Sequence, residues 1–88
     1  MNILSIEHVR AAWAEQHAAT NGTVKRTDIV NAFGVSAATA STDIAYLLKH
    51  HPGCLEYDHA AREYRWKARH RPKLELPAWV KELREAAE

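Results

Sequence analysis

Between positions 6 and 18 the residues Ile6, Val9, Trp13 and His17 recur every three or four positions, the period of a helix with one inward face. Ser5 is placed to cap that helix, Glu7 suits its positive end, and Asn21-Gly22 supplies a left-handed stop. Thr23-Val24 is a short β-prone pair. A second helix is expected over about 26–33, with Ile29, Val30 and Phe33 inward. Its start is open, because Lys25 is a poor cap and Thr27 a good one. Gly34 breaks the period, Val35 fills the angle, and Ser36 caps a third helix to about His50. Ala40, Ile44, Leu47 and Leu48 form one stripe of that helix, and Pro52-Gly53 ends it.

Beyond Gly53 the period changes from helical to alternating. Residues 54–58 (CLEYD) and 63–67 (EYRWK) both read as strands. Folding them about the loop 59–62 pairs Tyr57 with Tyr64 and Leu55 with Trp66 on one face, and Glu56 with Arg65 on the other. One register thus accounts for the apolar and the charged face together. Residues 68–76 have linker composition, with alternating charge and a proline, and Pro77 opens a last helix carrying Trp79, Val80 and Leu83. The expected fold is therefore mainly α with a small β-hairpin (α+β): a winged helix-turn-helix over residues 1–67, a basic linker over 68–76, and a C-terminal helix over 77–88 for packing or dimerisation. A short connection between crossing helices favours glycine at position 34, and Ala40 is small where the helices approach.

From Gly22 to Trp66 the chain resembles known regulators. The stretch GTVKRTDIVNAFGVSAATASTDIAYLL is similar to the DNA-binding segment of DeoR-type bacterial repressors, in which a helix, FGVS and a helix with Asp followed by an aliphatic residue succeed one another. A closer likeness is to the winged-helix N-terminal domain of WYL-domain transcription regulators. Their S-x-x-x-A-S-x-D-L helix and PG-x-L-x-Y-D wing entry are matched by Ser36, Ala40, Ser41, Asp43 and Ile44 and by PGCLEYD. The resemblance implies a sequence-specific, double-stranded DNA-binding regulator of bacterial or phage type, read as a repressor. The apolar stripe Trp79, Val80 and Leu83 of the last helix adds the expectation of a homodimer with that helix in the interface. Lys25 departs from the Ser or Thr usual at that cap and brings a cation near DNA. Such regulators usually carry a ligand-sensing domain after the wing, whereas this chain ends within about one helix of it. Sensing then falls to a partner, is absent, or belongs to a longer regulator of which this is a piece.

Charge sharpens this picture. The chain of 88 residues has a formal net charge of only +1, yet residues 59–73 hold six Lys or Arg against Glu63 alone. That band reads either as a surface for a polyanion or as a solvated linker. A single small domain is enough to account for the length. The lone Cys54 makes no internal disulfide and favours a cytoplasmic setting. No apolar run approaches the roughly 20 residues of a membrane span, and residues 1–6 are too short for a signal peptide.

Helix-turn-helix docking presents the start of the third helix to base edges, which here means Ser36, Ala37, Thr39, Ser41 and Thr42. No Arg or Lys lies between Ser36 and Leu48, so affinity is expected from phosphate contacts by Lys25, Arg26, Lys49, Arg62 and Arg65. Arg62 either enters a minor groove from the wing tip or is an exposed loop charge. Asp43 would repel DNA if it faced outward and is given a structural role, pairing with an arginine or fixing the helix. His50, His51, Cys54 and His59 match no closed zinc spacing, and no nucleophile–base–orienter set or phosphate loop can be assembled. Neither an enzyme nor a cofactor is expected. The bare third helix also suits a second reading, a winged-helix adaptor that binds a protein and does not read DNA sequence.

Overall fold

The computed structural model describes residues 6–67 and 71–74. The order of elements is α1 (Ile6–Asn21), β1 (Thr23–Val24), α2 (Arg26–Phe33), α3 (Ala37–His50), β2 (Leu55–Asp58) and β3 (Glu63–Trp66). Three helices and a small antiparallel sheet make the winged helix that the pattern predicts. Ser5, the linker residues 68–70 and the stretch with Trp79, Val80 and Leu83 lie outside the described residues.

α1 is the central element, packed against α2, α3, β1 and β3. Its middle is therefore buried on every side: Ala11, Ala12, Trp13, Ala14 and even Glu15 are inaccessible or nearly so. Small residues on several faces let neighbours approach closely. The single inward stripe expected from the sequence is too narrow a description. Ile6, expected on it, is 60% exposed, because it precedes the packed turns. His17 is half-buried and stacks on Trp13 with centroids 4.8 Å apart.

The turn between α2 and α3 follows the glycine argument, with one refinement. Gly34 has φ +69° and donates its N–H to Val30 O at 2.8 Å. A Cβ there would meet nothing within 4 Å, so the left-handed backbone, not crowding, selects glycine. Lys25 is the N-cap of α2, which resolves its start. An ammonium group cannot accept a hydrogen bond, so only half a capping box forms: the Lys25 N–H donates to Asp28 Oδ2 at 2.8 Å. Ser36 caps α3 by accepting from the Thr39 N–H at 3.1 Å. Ala40, Asp43, Ile44 and Leu47 face the core, and Leu48 is half-buried at its margin.

The wing has the expected register: Leu55 opposite Trp66, Glu56 opposite Arg65, Tyr57 opposite Tyr64 and Asp58 opposite Glu63. A third strand joins it. β1 pairs with β3, Thr23 opposite Arg65 and Val24 opposite Tyr64, giving the order β1-β3-β2. This pairing buries Val24 completely and anchors the wing to the helices. Among the described residues no helix is long and apolar enough to cross a membrane.

Candidate nucleic-acid interface

The outer surface of α3 is set by the helical period. With Ala40, Ile44 and Leu47 inward, the positions opposite are Ala38, Thr42, Ala45 and Lys49, spaced four, three and four apart, and all four are exposed. Two of these, Ala38 and Ala45, are not among the readers expected from the sequence; their exposure follows only once the inward stripe of α3 is fixed. Small residues along this line allow the helix backbone to approach another surface closely.

The five candidate readers divide by what their side chains already do. The Ser36 hydroxyl caps the helix and donates to Thr39 Oγ1 at 3.1 Å, so both belong to the cap. Thr42 Oγ1 donates back to Ala38 O at 3.1 Å, which turns its methyl group and oxygen lone pairs outward. Ala37 is exposed at the first turn. Ser41, on the flank next to α2, accepts a hydrogen bond from Arg26 Nη1 at 3.2 Å.

The candidate cations fall into two groups. Lys25 and Arg26 at the start of α2 share an open hollow with Thr27, Ala61 and Arg62 of the wing tip. Lys49 ends the outer line of α3. Among the described residues no ion pair engages Lys25, Arg26, Lys49 or Arg62. The strand cations are neutralised instead. Arg65 pairs with Asp58 at 3.0 Å and Lys67 with Glu56 at 2.9 Å, diagonally across the register rather than directly opposite. The Lys67 hydrogen bond holds the Glu56 carboxyl below its ordinary range, and the Ala61 N–H does the same for Asp58. Asp58 Oδ1 accepts that Ala61 N–H at 3.1 Å and thereby closes the wing turn. Arg62, next in the turn, stands at φ +56°.

Asp43 is fully buried on the inner side of α3 and accepts from Arg10 Nε at 2.7 Å. It is a strut between α1 and α3, turned away from the exposed line. The histidine–cysteine stretch also disperses. His50 is exposed against Tyr46, while His51 is buried with its Nδ1 2.7 Å from Glu15 Oε2. Burial, together with the nearby Glu15 carboxylate, pushes the Cys54 thiol up to about 11. Among the described residues no three His, Cys, Asp or Glu side chains converge on a metal position.

An exposed third helix, an ion-pair-free wing tip and the start of α2 are thus brought to one region. Over residues 7–84 the chain matches the family model of the BrxR transcriptional regulator winged helix-turn-helix domain. It belongs to that family. The BrxR domain is a transcriptional regulator module, a DNA-binding class and not an enzyme family. No curated protein matches the chain. The match carries the winged helix and the regulator role. It does not bear on the narrower likeness to DeoR-type and WYL-domain regulators.

Proposed function

We propose that this winged helix binds double-stranded DNA in a sequence-specific manner and acts as a repressor by occupying its site, as a cytoplasmic homodimer. The observation that carries the reading is the cation set Lys25, Arg26 and Arg62, contributed by two separate elements around one hollow, none of them ion-paired among the described residues. The Asp28 carboxylate of the same turn is held by the Lys25 N–H and lies near His17, and like charges grouped with no direct ion pair favour a polyanion. The positive end of α2 adds to the attraction for a phosphate. Ala38, Thr42 and Ala45 would face the major groove, with Ala37 and Ser41 beside them and Ser36 and Thr39 holding the first turn in place. Lys49 and the wing would take flanking phosphates. Arg65 joins them only by leaving Asp58.

The test is binding of the full chain to duplex DNA across a range of salt. With four phosphates neutralised per chain, near −0.9 for each contact, the log–log slope should be about −3 to −4 for one chain on a half-site and roughly twice that for a dimer on both. Salt-insensitive binding, or none at low salt, overturns the reading and favours the protein adaptor.

A further inference from the structure

The outer line of α3 poses a problem for a sequence reader. Ala38, Thr42 and Ala45 carry no side chain that can make two hydrogen bonds to one base, and the donor of Thr42 is turned back onto its own helix. The commonest specific contact in a major groove is an Arg fork on guanine O6 and N7. α3 has no Arg of its own. It borrows one. Arg26, the first residue of α2, reaches across to α3 and places Nη1 3.2 Å from the Ser41 hydroxyl.

We propose that Arg26 is the guanine-reading residue of this domain, presented at the α3 surface by a neighbouring helix and oriented by Ser41. This rests on the DNA-binding reading above and adds to it the base that is read. Three observations carry it. Guanidinium has five N–H donors, and the bond to Ser41 uses one, so a two-donor edge stays available. Ser41 is half-buried at the flank of the exposed line, so a group held there lies beside Thr42 and Ala45 rather than out at the phosphates. Among the described residues Arg26 has no acid partner, which leaves its charge for an external acceptor. Lys25 and Arg62 line the same hollow without a bond from their side chains to α3 among the described residues, and are left as the phosphate contacts. One cation then reads while its neighbours anchor.

The experiment starts by selecting preferred duplexes from a random-sequence pool with the full wild-type chain. Affinities of wild type, Arg26→Lys, Arg26→Ala and Ser41→Ala are then measured on the selected duplex and on single-site variants, including 7-deazaguanine, which lacks the N7 acceptor. Arg26→Lys keeps the charge and loses the fork. It should cut discrimination at one G·C pair by about tenfold, the order of one bidentate contact, with binding to random duplex unchanged. Ser41→Ala should weaken the same discrimination in part. 7-Deazaguanine at that pair should weaken wild type and leave Arg26→Lys unaffected. If Arg26→Lys discriminates like wild type while Arg26→Ala weakens all duplexes equally, Arg26 is a phosphate contact and the proposal falls. Equal binding of wild type to every duplex overturns it as well. Absence of binding to any duplex overturns the DNA reading itself. Arg26 is exposed and Ser41 half-buried, and an unchanged melting temperature in each variant assigns any loss to reading.

Discussion

At the N-cap of α2, Lys25 offers no acceptor to the first N–H groups, and Arg26 adds a second cation at the positive end of the helix. At the wing tip, Arg62 stands in the left-handed region, where a side chain costs about 1–2 kcal/mol and glycine almost nothing. A fold selected for stability alone would put Ser at 25 and Gly at 62. Cations at these places cost the fold stability, which accords with the proposed contacts to phosphate. Lys25→Ser is expected to stabilise by about 1 kcal/mol, an increase of roughly 4–8 °C in melting temperature for a domain of this size. Arg62→Gly should gain less, because relief of strain is partly offset by the extra freedom of glycine in the unfolded chain. Each should also weaken binding to all duplexes alike and reduce the salt slope by about 1. Thermal melts alongside titrations at several salt concentrations check both halves. Variants that gain stability and keep full affinity would show that these cations serve no ligand.

At the scale of the element, α3 presents an alanine-lined surface, and its function depends on what can approach it. Ala45→Glu puts a long anionic side chain in the middle of the exposed line, at a position with no packing to lose. The fold should keep its stability within about 0.5 kcal/mol. Duplex binding should fall at least about tenfold, since a carboxylate against phosphates costs several kcal/mol. Unchanged affinity would move the DNA to another face. The elements themselves were largely legible. The wing register could be read because two short alternating runs leave one alignment that satisfies both faces. The α2–α3 turn could be read because Gly34 and Ser36 each have one local reason to be there. The pairing of β1 with β3 could not, although Thr23-Val24 reads as β-prone, because two residues carry no periodicity and their partner arrives about forty positions later. The surroundings of α1 were hidden for a related reason: a helix buried all round shows no stripe. The candidate site was half legible. Its cations stand out in the sequence, but the reach of Arg26 to Ser41 and the methyl line of Ala38 and Ala45 exist only once the helices are packed.

Across the whole molecule, one buried carboxylate joins segments that the chain separates widely. Glu15 is inaccessible; Oε2 meets His51 Nδ1 at 2.7 Å, and Oε1 accepts the N–H groups of Lys73 and Leu74 at 2.8 and 2.7 Å. It thus ties α1 to the end of α3 and to the segment after the wing. His51 in turn packs edge-on against Trp66 of β3. Glu15→Ala should cost about 3 kcal/mol or more in urea unfolding, since it strips a buried partner from three groups at once; a loss under about 0.5 kcal/mol would remove this network from what holds the segments together. Residues 77–88 carry Trp79, Val80 and Leu83 at helical spacing, and an isolated helix of about three turns does not persist alone in water. Ile6 at the start of α1 is the exposed large hydrophobic residue among those described, whereas Val9 and Trp13 are buried. We propose that these apolar groups are covered in a two-fold homodimer, which would present two copies of α3 to a palindrome about one helical turn apart per half-site. Mass in solution at micromolar concentration should be that of a dimer. Trp79→Glu with Leu83→Glu should give a folded monomer that keeps its affinity for a single half-site and loses the gain from the second. A monomeric wild type, or a double variant that stays dimeric, would break this arrangement and leave the tail to some other contact.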